Sequence, residues 1–423
     1  MSSLRSSRGL DGLNFFLADV QTGVGPFVAV ILASRGMGAR SIGMALTAGG
    51  LAGVLGQIPV GAWVDVTRRK RALVCCAILA TAASAIVLAL GRSLPIVLAA
   101  QAVHGAATTV MGPTIVALSL GMAARGELGQ RLGRNRRFDS AGNLSSAALM
   151  GWVGYAMSPV AIFWVTALLA IPAIGALGLI DPRDIDDAAA RGSAPSGPPA
   201  RWADLATNRR FLTFMACAVL FHFANASMLP LVATVLGSGK ARESSLLLSA
   251  CIMTTQVVVM LSGPWCGRQA ERWGRRPLLL VGFALMPLRG VLFSLTTRPV
   301  LLVAIQILDG LAGTIFMIVA PLVVADVTRG TGRFNLAQGT LGTATAAGAA
   351  VSTTAAGYVV DRFGDAAGFR SLAAVALLGL VLLFVAMPET SPESESTPDL
   401  RRLKDESVAG AKRPAIREIE DAR

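Results

Sequence analysis

The chain has 423 residues, of which 53% are hydrophobic and only 15% charged. Soluble domains average about a quarter charged residues, so this composition excludes an ordinary soluble protein and points to an integral membrane protein. The net charge of +13 would suit a nucleic-acid binder, but the Lys and Arg residues fall in short runs between apolar stretches, which is the pattern of membrane topology.

Met1 to Gly12 is polar, with no short apolar core followed by a small-residue cleavage site, so the first apolar segment is expected to stay in the mature protein. Twelve apolar segments follow, most of them about 20 residues or longer, enough to cross a core of ~30 Å. They lie near 11–34, 41–64, 72–91, 94–121, 137–157, 159–180, 209–236, 245–266, 277–297, 299–325, 335–360 and 369–387. The expected fold is all-α, with twelve transmembrane helices in two pseudo-symmetric six-helix bundles, 1–183 and 209–387. The stretch 184–208, rich in Ala, Pro, Gly, Ser and charge, reads as a linker, and 388–423 as a disordered polar tail.

The first span contains Asp19, with Asn14 just before and Gln21 just after. A carboxylate in hydrocarbon is costly, so Asp19 is expected to face a water-filled site. The five cysteines, Cys75, Cys76, Cys217, Cys251 and Cys266, lie in or at the ends of apolar spans without metal-site spacing and read as small packing residues.

After spans two, four and eight come TRRKR, RGELGQRLGRNRR and GRQAERWGRR, whereas loops on the other side carry one or two basic residues each. The positive-inside rule then predicts that both termini and the linker are cytoplasmic, in a plasma (inner) membrane.

The halves resemble each other. Phe15 onward (FFLADV) matches Phe221 onward (FHFANA), Gly61 onward (GAWVDVTRRKR) matches Gly267 onward (GRQAERWGRRP), and Gln101 onward (QAVHG) matches Gln306 onward (QILDG). A fourth pairing, RFDSAGN from Arg137 with RFNLAQG from Arg333, requires a shorter offset. Two six-span halves in the same order imply a pseudo-twofold axis along the membrane normal and a solute path between them.

A loop of the form G-x-x-x-D-x-x-x-R-[RK] follows span two as Gly61, Asp65, Arg69 and Lys70. It is echoed after span eight as Gly267, Glu271, Arg275 and Arg276. This pair of loops, in a twelve-span repeat, resembles the major facilitator superfamily over all but the tail. Physically, Gly61 permits close helix approach, and Asp65 can sit at a neighbouring helix N-terminus or pair with Arg69. The resemblance implies a cytoplasmic latch that stabilises an outward-open state, with roles for Asp65 and Glu271. The alternative is that these charges only set topology.

A rise of ~1.5 Å per residue places Asp19, His104 and Asp309 about 13–15 Å from a helix end, near mid-membrane, with His222 and Asn225 somewhat deeper. They lie on spans one, four, seven and ten, the cavity-lining helices of the resembled fold. Asp19 aligns with Asn225 and His104 with Asp309, so the only two histidines and the two deepest carboxylates are expected to converge on one site. Asp19 and His104 form a candidate proton-coupling pair. Arg289 in span nine lies at a depth like that of Asp309; it either pairs with Asp309 or snorkels outward.

Two motifs of proton-driven drug exporters are incomplete. The Arg of R-x-x-Q-G in span four is absent, since the stretch reads Gln101 to Gly105, and Gly142, Gly151 and Gly154 in span five lack an adjacent Pro. No nucleotide-binding loop argues for a primary pump, and no nucleophile–base constellation argues for an enzyme. The expected function is proton-linked transport of a small solute by alternating access, export favoured, by a monomer with no cofactor and no nucleic-acid partner. A second reading is transport of a divalent metal or metal complex on Asp19, His104, His222 and Asp309. A third is a non-transporting membrane sensor.

Overall fold

In the computed structural model the described residues are 3–22, 28, 32, 35, 37, 39–124, 126–158, 160–192, 202–237 and 241–391. The helices of the first half are α1 (Leu4–Thr22), α2 (Ala39–Val66), α3 (Lys70–Leu90), α4 (Leu94–Met122), α5 (Leu128–Ala156) and α6 (Ala161–Gly178). A short α7 (Trp202–Thr207) precedes the second half, made of α8 (Arg209–Ala226), α9 (Met228–Gly237), α10 (Ala241–Arg272), α11 (Arg275–Ser294), α12 (Pro299–Val327), α13 (Phe334–Phe363) and α14 (Asp365–Ala386). Nine stretches among the described residues are long and apolar enough to cross a membrane.

Helix ends follow from local chemistry. Pro95 lies in the first turn of α4 and Pro299 opens α12, where no backbone N–H is needed. The Asn208 side chain accepts from Phe211 N at 3.2 Å and so starts α8. Gly274 and Gly364, at φ +89° and +82°, make the reversals before α11 and α14. At the end away from the basic loops, Arg35 donates to the carbonyls of Leu88, Ala89 and Gly91, closing α3.

Several spans differ from their sequence reading. α1 begins at Leu4, because its polar first turns have partners: Asp11, 4% exposed, is bound by Arg131 and Arg134 of α5. For the same reason much of RGELGQRLGRNRR is the start of α5 and not a loop. Span seven is two helices. The break at Ser227 is held from α13, where Ser352 Oγ meets Ser227 Oγ at 2.7 Å and donates to Phe223 O at 2.5 Å. A hydroxyl thus takes up a carbonyl that an unbroken helix would use.

The linker is ordered from Pro182 to Gly192 through two 3₁₀ turns, and part of its remainder lies outside the described residues. Ala190 is fully buried and Asp186 N donates to Gly121 O at 2.9 Å. The tail starts later than position 388. Glu389 accepts from Arg275 N at 2.9 Å and Arg276 N at 3.0 Å, which fastens the chain through Ser391 to the start of α11.

The halves meet through α2 on α13 and α5 on α10. These contacts are backbone on backbone near the basic loops. A Cβ on Gly61 would fall 2.2 Å from Asn335 O, and one on Gly267 would fall 2.3 Å from Gly129 O. Gly339 meets Gln57 O, and Gly133 meets Gly263 O, just as closely. Only glycine fits such approaches.

Candidate functional site

The second half holds a buried polar cluster drawn from four helices. Arg289 of α11, 1% exposed, donates to Asp309 Oδ1 of α12 at 2.7 Å, to Asn225 Oδ1 of α8, and to Gln306 Oε1 at 2.9 Å. Its guanidinium lies 5.2 Å from the ring centre of Phe293. Thr255 of α10 donates to Asp309 Oδ2 at 3.3 Å. Of the two readings open for Arg289, the side chain takes the ion pair. A buried guanidinium needs a counter-charge and full hydrogen bonding, and Asp309 with two amide oxygens supplies most of that.

The first half has the corresponding positions with different chemistry. Ser84 and Arg289 are 205 positions apart, as are His104 and Asp309, and Gln101 and Gln306. Ser84 Oγ lies 3.3 Å from His104 Nδ1 and donates to Thr81 O at 2.7 Å. The glycine that follows each central residue explains the shared Q-x-x-x-G pattern. Gly105 packs on the Gly49 carbonyl of α2 and Gly310 on Thr255 and Val258 of α10, so His104 and Asp309 are turned toward α3 and α11.

Three of the four residues expected to converge have described contacts. His104 is engaged within the first half and Asp309 within the second. His222 points at its own helix and at α12: Nδ1 is 3.0 Å from Ala218 O, and the ring stands edge-on to Phe316 with centroids 4.7 Å apart. Among the described residues no three His, Cys, Asp or Glu side chains come together as a metal site. Asp19 and Gln21 lie on the last turn and a half of α1, and their side chains are outside the described residues.

The second arrangement is the latch at the basic-loop end. Asp65, 3% exposed, accepts from Asn335 N at 3.0 Å, Asn335 Nδ2 at 2.8 Å and Leu336 N at 2.9 Å. A carboxylate of the first half therefore caps the start of α13 in the second, where free N–H groups and the helix dipole favour an anion. Glu271 does the reciprocal job, accepting from Gly129 N at 2.5 Å at the start of α5. Both carboxylates stand on the last turns of α2 and α10 and not in loops.

The basic partners are not equivalent. Arg275, 5% exposed, pairs with Glu271 at 3.2 Å and with Asp326 at 3.0 Å. Its sequence counterpart Arg69 is exposed and makes no such pair among the described contacts. Lys70, 2% exposed, points inward instead, donating to Thr67 O at 2.9 Å and facing Asp187 of the linker at 3.4 Å. Further linker contacts cross to the second half: Ala190 O accepts from Asn335 Nδ2 at 3.2 Å, and Gly192 O from Gly330 N at 2.7 Å.

Sequence reasoning missed Asn335, Asp326, Asp187, Ser84 and Glu389. It also misaligned the halves. Gly61 meets Asn335 as Gly267 meets Gly129, so Asn335 corresponds to Gly129 at the 206-residue spacing of Gly61 and Gly267. The pairing of RFDSAGN with RFNLAQG is therefore not structural.

Comparisons with known proteins agree with this architecture. The family model "Major Facilitator Superfamily" matches residues 12–268 and 256–420. Two Mycobacterium tuberculosis proteins, "Uncharacterized MFS-type transporter MT2531" of strain CDC 1551 / Oshkosh and "Uncharacterized MFS-type transporter Rv2456c" of strain ATCC 25618 / H37Rv, are each 42% identical over 392 residues, 91% of this chain and 94% of theirs. The crystal structure of the human organic anion transporter MFSD10 (TETRAN) superposes with a TM-score of 0.69 at 15% identity, covering 90% of this chain and 100% of that one.

Proposed function

Because this chain belongs to the Major Facilitator Superfamily, and is thus a membrane transporter and not an enzyme, we propose that it exports a small solute by alternating access, driven by the proton gradient. The observation that carries this reading is the reciprocal latch. Asp65 and Glu271 each cap a helix of the opposite half, so both clamps must let go before the basic-loop end can open. With that end and both termini in the cytoplasm, the closed latch corresponds to an outward-facing state.

The proton site fits the first half better than the second. Protonating Asp309 would leave the buried Arg289 without its counter-ion, which is strongly unfavourable. The first-half positions hold no fixed cation: Asp19 and His104 stand where the second half has Asn225 and Asp309, and Ser84 stands where it has Arg289. Asp19 and His104 are therefore the proposed proton carriers, and the Arg289 cluster is the fixed ion pair of the other half. The metal reading is the weaker one, since His104, His222 and Asp309 have separate partners. The sensor reading gives the paired clamps no purpose.

The test is reconstitution. Thermal-shift screening of purified protein against organic acids, drugs and metal salts identifies a ligand, and flux of that ligand is then measured in proteoliposomes with and without a pH gradient. Accumulation independent of the gradient would refute proton coupling.

A further inference from the structure

The two halves treat the start of their third span differently. In the second half, α11 begins at Arg275, and its first N–H groups donate to the Glu389 carboxylate. In the first half, the corresponding α3 begins at Lys70 with Arg69 before it, the Arg69 side chain makes no capping bond, and among the described residues no other side chain accepts from its first N–H groups. The surroundings otherwise match. Arg276 donates to Phe384 O at 2.6 Å and Arg71 to Leu177 O at 3.4 Å, so α3 lies on α6 as α11 lies on α14. At the repeat spacings of 205 and 206 the place of Glu389 falls at Asp184 and Arg183, and the Asp184 carboxylate accepts from Ser3 N at 2.9 Å and Ser3 Oγ at 2.6 Å instead of capping α3.

What stands there is a cavity of about 500 Å³ lined by Arg68, Arg69, Lys70 and Arg71, with Asp187 as the one lining carboxylate. Lys70 engages Asp187 at 3.4 Å, so the other three guanidinium groups exceed the local negative charge. The Nε of Arg71 is buried without a partner. The floor is apolar, formed by Cys75, Ile174 and Leu177. It continues along α3 and α6 into the outward-facing Leu79, Leu168 and Ile171, which are 52%, 62% and 65% exposed.

We propose that this groove binds the phosphate group of an anionic phospholipid. The phosphate takes the place that Glu389 fills in the other half, and the acyl chains run down the α3–α6 face. Three features select this ligand: helix N–H groups and guanidinium groups that suit a phosphate, an apolar track that a free anion would not use, and a location at the basic-loop end. The second half serves as an internal control, because its own carboxylate already fills the equivalent place.

The test uses full-length protein in an uncharged detergent. Native mass spectrometry counts retained lipid after exposure to an equimolar mixture of phosphatidylglycerol and phosphatidylcholine with identical chains. Wild type should retain phosphatidylglycerol preferentially. R68Q/R69Q should weaken that retention roughly 30-fold, R68K/R69K should keep most of it, and R272Q, an exposed charge of the second half, should leave it unchanged. Equal retention of the two lipids by wild type, or an undiminished preference in R68Q/R69Q, would overturn the proposal. Displacement of the lipid by an equal concentration of inorganic phosphate would reassign the groove to a free anion.

Discussion

The two halves share helix order and register yet place different chemistry at matching positions. The second half is self-sufficient: Arg289 has Asp309 within its own bundle, Arg275 has Glu271 and Asp326, and α11 has Glu389. The first half borrows. Lys70 relies on Asp187 of the linker, Asp65 shares Asn335 with Ala190 of the linker, and His104 faces Ser84 instead of a fixed charge. Internal repetition keeps the frame while letting the two copies carry different chemistry at matching positions.

Substituting the carboxylate proposed to carry the proton should break this comparison most completely. Asp19→Asn gives the first half the amide that the second half has at Asn225, and gradient-driven accumulation should be lost while substrate exchange persists. Full gradient-dependent accumulation by the variant would remove Asp19 from the mechanism. The next largest effect is on stability. Arg289→Met leaves Asp309 buried without its partner and should cost on the order of 3–5 kcal/mol. Ser84→Ala at the matching position should cost about 1 kcal/mol. Equal shifts in thermal midpoint for the two would contradict the asymmetry.

The latches sharpen the comparison further. Asp65 accepts three hydrogen bonds at the α13 terminus and Glu271 one at the α5 terminus. Asp65→Asn should therefore move the equilibrium toward opening at the basic-loop end by up to ~2 kcal/mol, and Glu271→Gln by less. Labelling rates of a cysteine introduced beside Gly339 would rank the two, and the reverse order would count against the clamp assignment. The smallest effect belongs to the half-exposed partner of Lys70. Asp187→Asn should cost at most ~1 kcal/mol. It should also lose part of its effect in high salt, which distinguishes screened attraction from packing.

Much of this arrangement was readable from residues alone. Span positions followed from hydrophobicity, because a bilayer imposes length and composition together. Gly61, Asp65, Gly267 and Glu271 were readable because a close approach and a helix-end anion demand particular residue types. Their partners were not, since the acceptors' donors are backbone N–H groups of Gly129, Asn335 and Leu336, and any residue supplies those. For the same reason the short RF match outweighed the true register: LGQRLG from Leu128 and FNLAQG from Phe334 share only their last glycine, a position where backbone meets backbone. Arg69 stood as one possible partner of Asp65 because sequence gives order but not azimuth, and in the structure it is Lys70 that turns inward. Asp187 and Glu389 lie in stretches whose composition reads as solvent-facing, and only the Lys70 ammonium beside the one and the start of α11 beneath the other fix them.

The glycine contacts between the halves have a consequence for speed. Where Gly61 lies on Asn335 and Gly267 on Gly129, main chain touches main chain. Surfaces of that kind freeze no rotamers when they meet and release none when they part. Closing them costs little side-chain entropy, and opening them requires no repacking of an interlocked core. In the proposed alternating-access cycle such seams would part like flat tiles, and most of the resistance to opening would come from the Asp65 and Glu271 clamps and the linker contacts at Asn335 and Gly330.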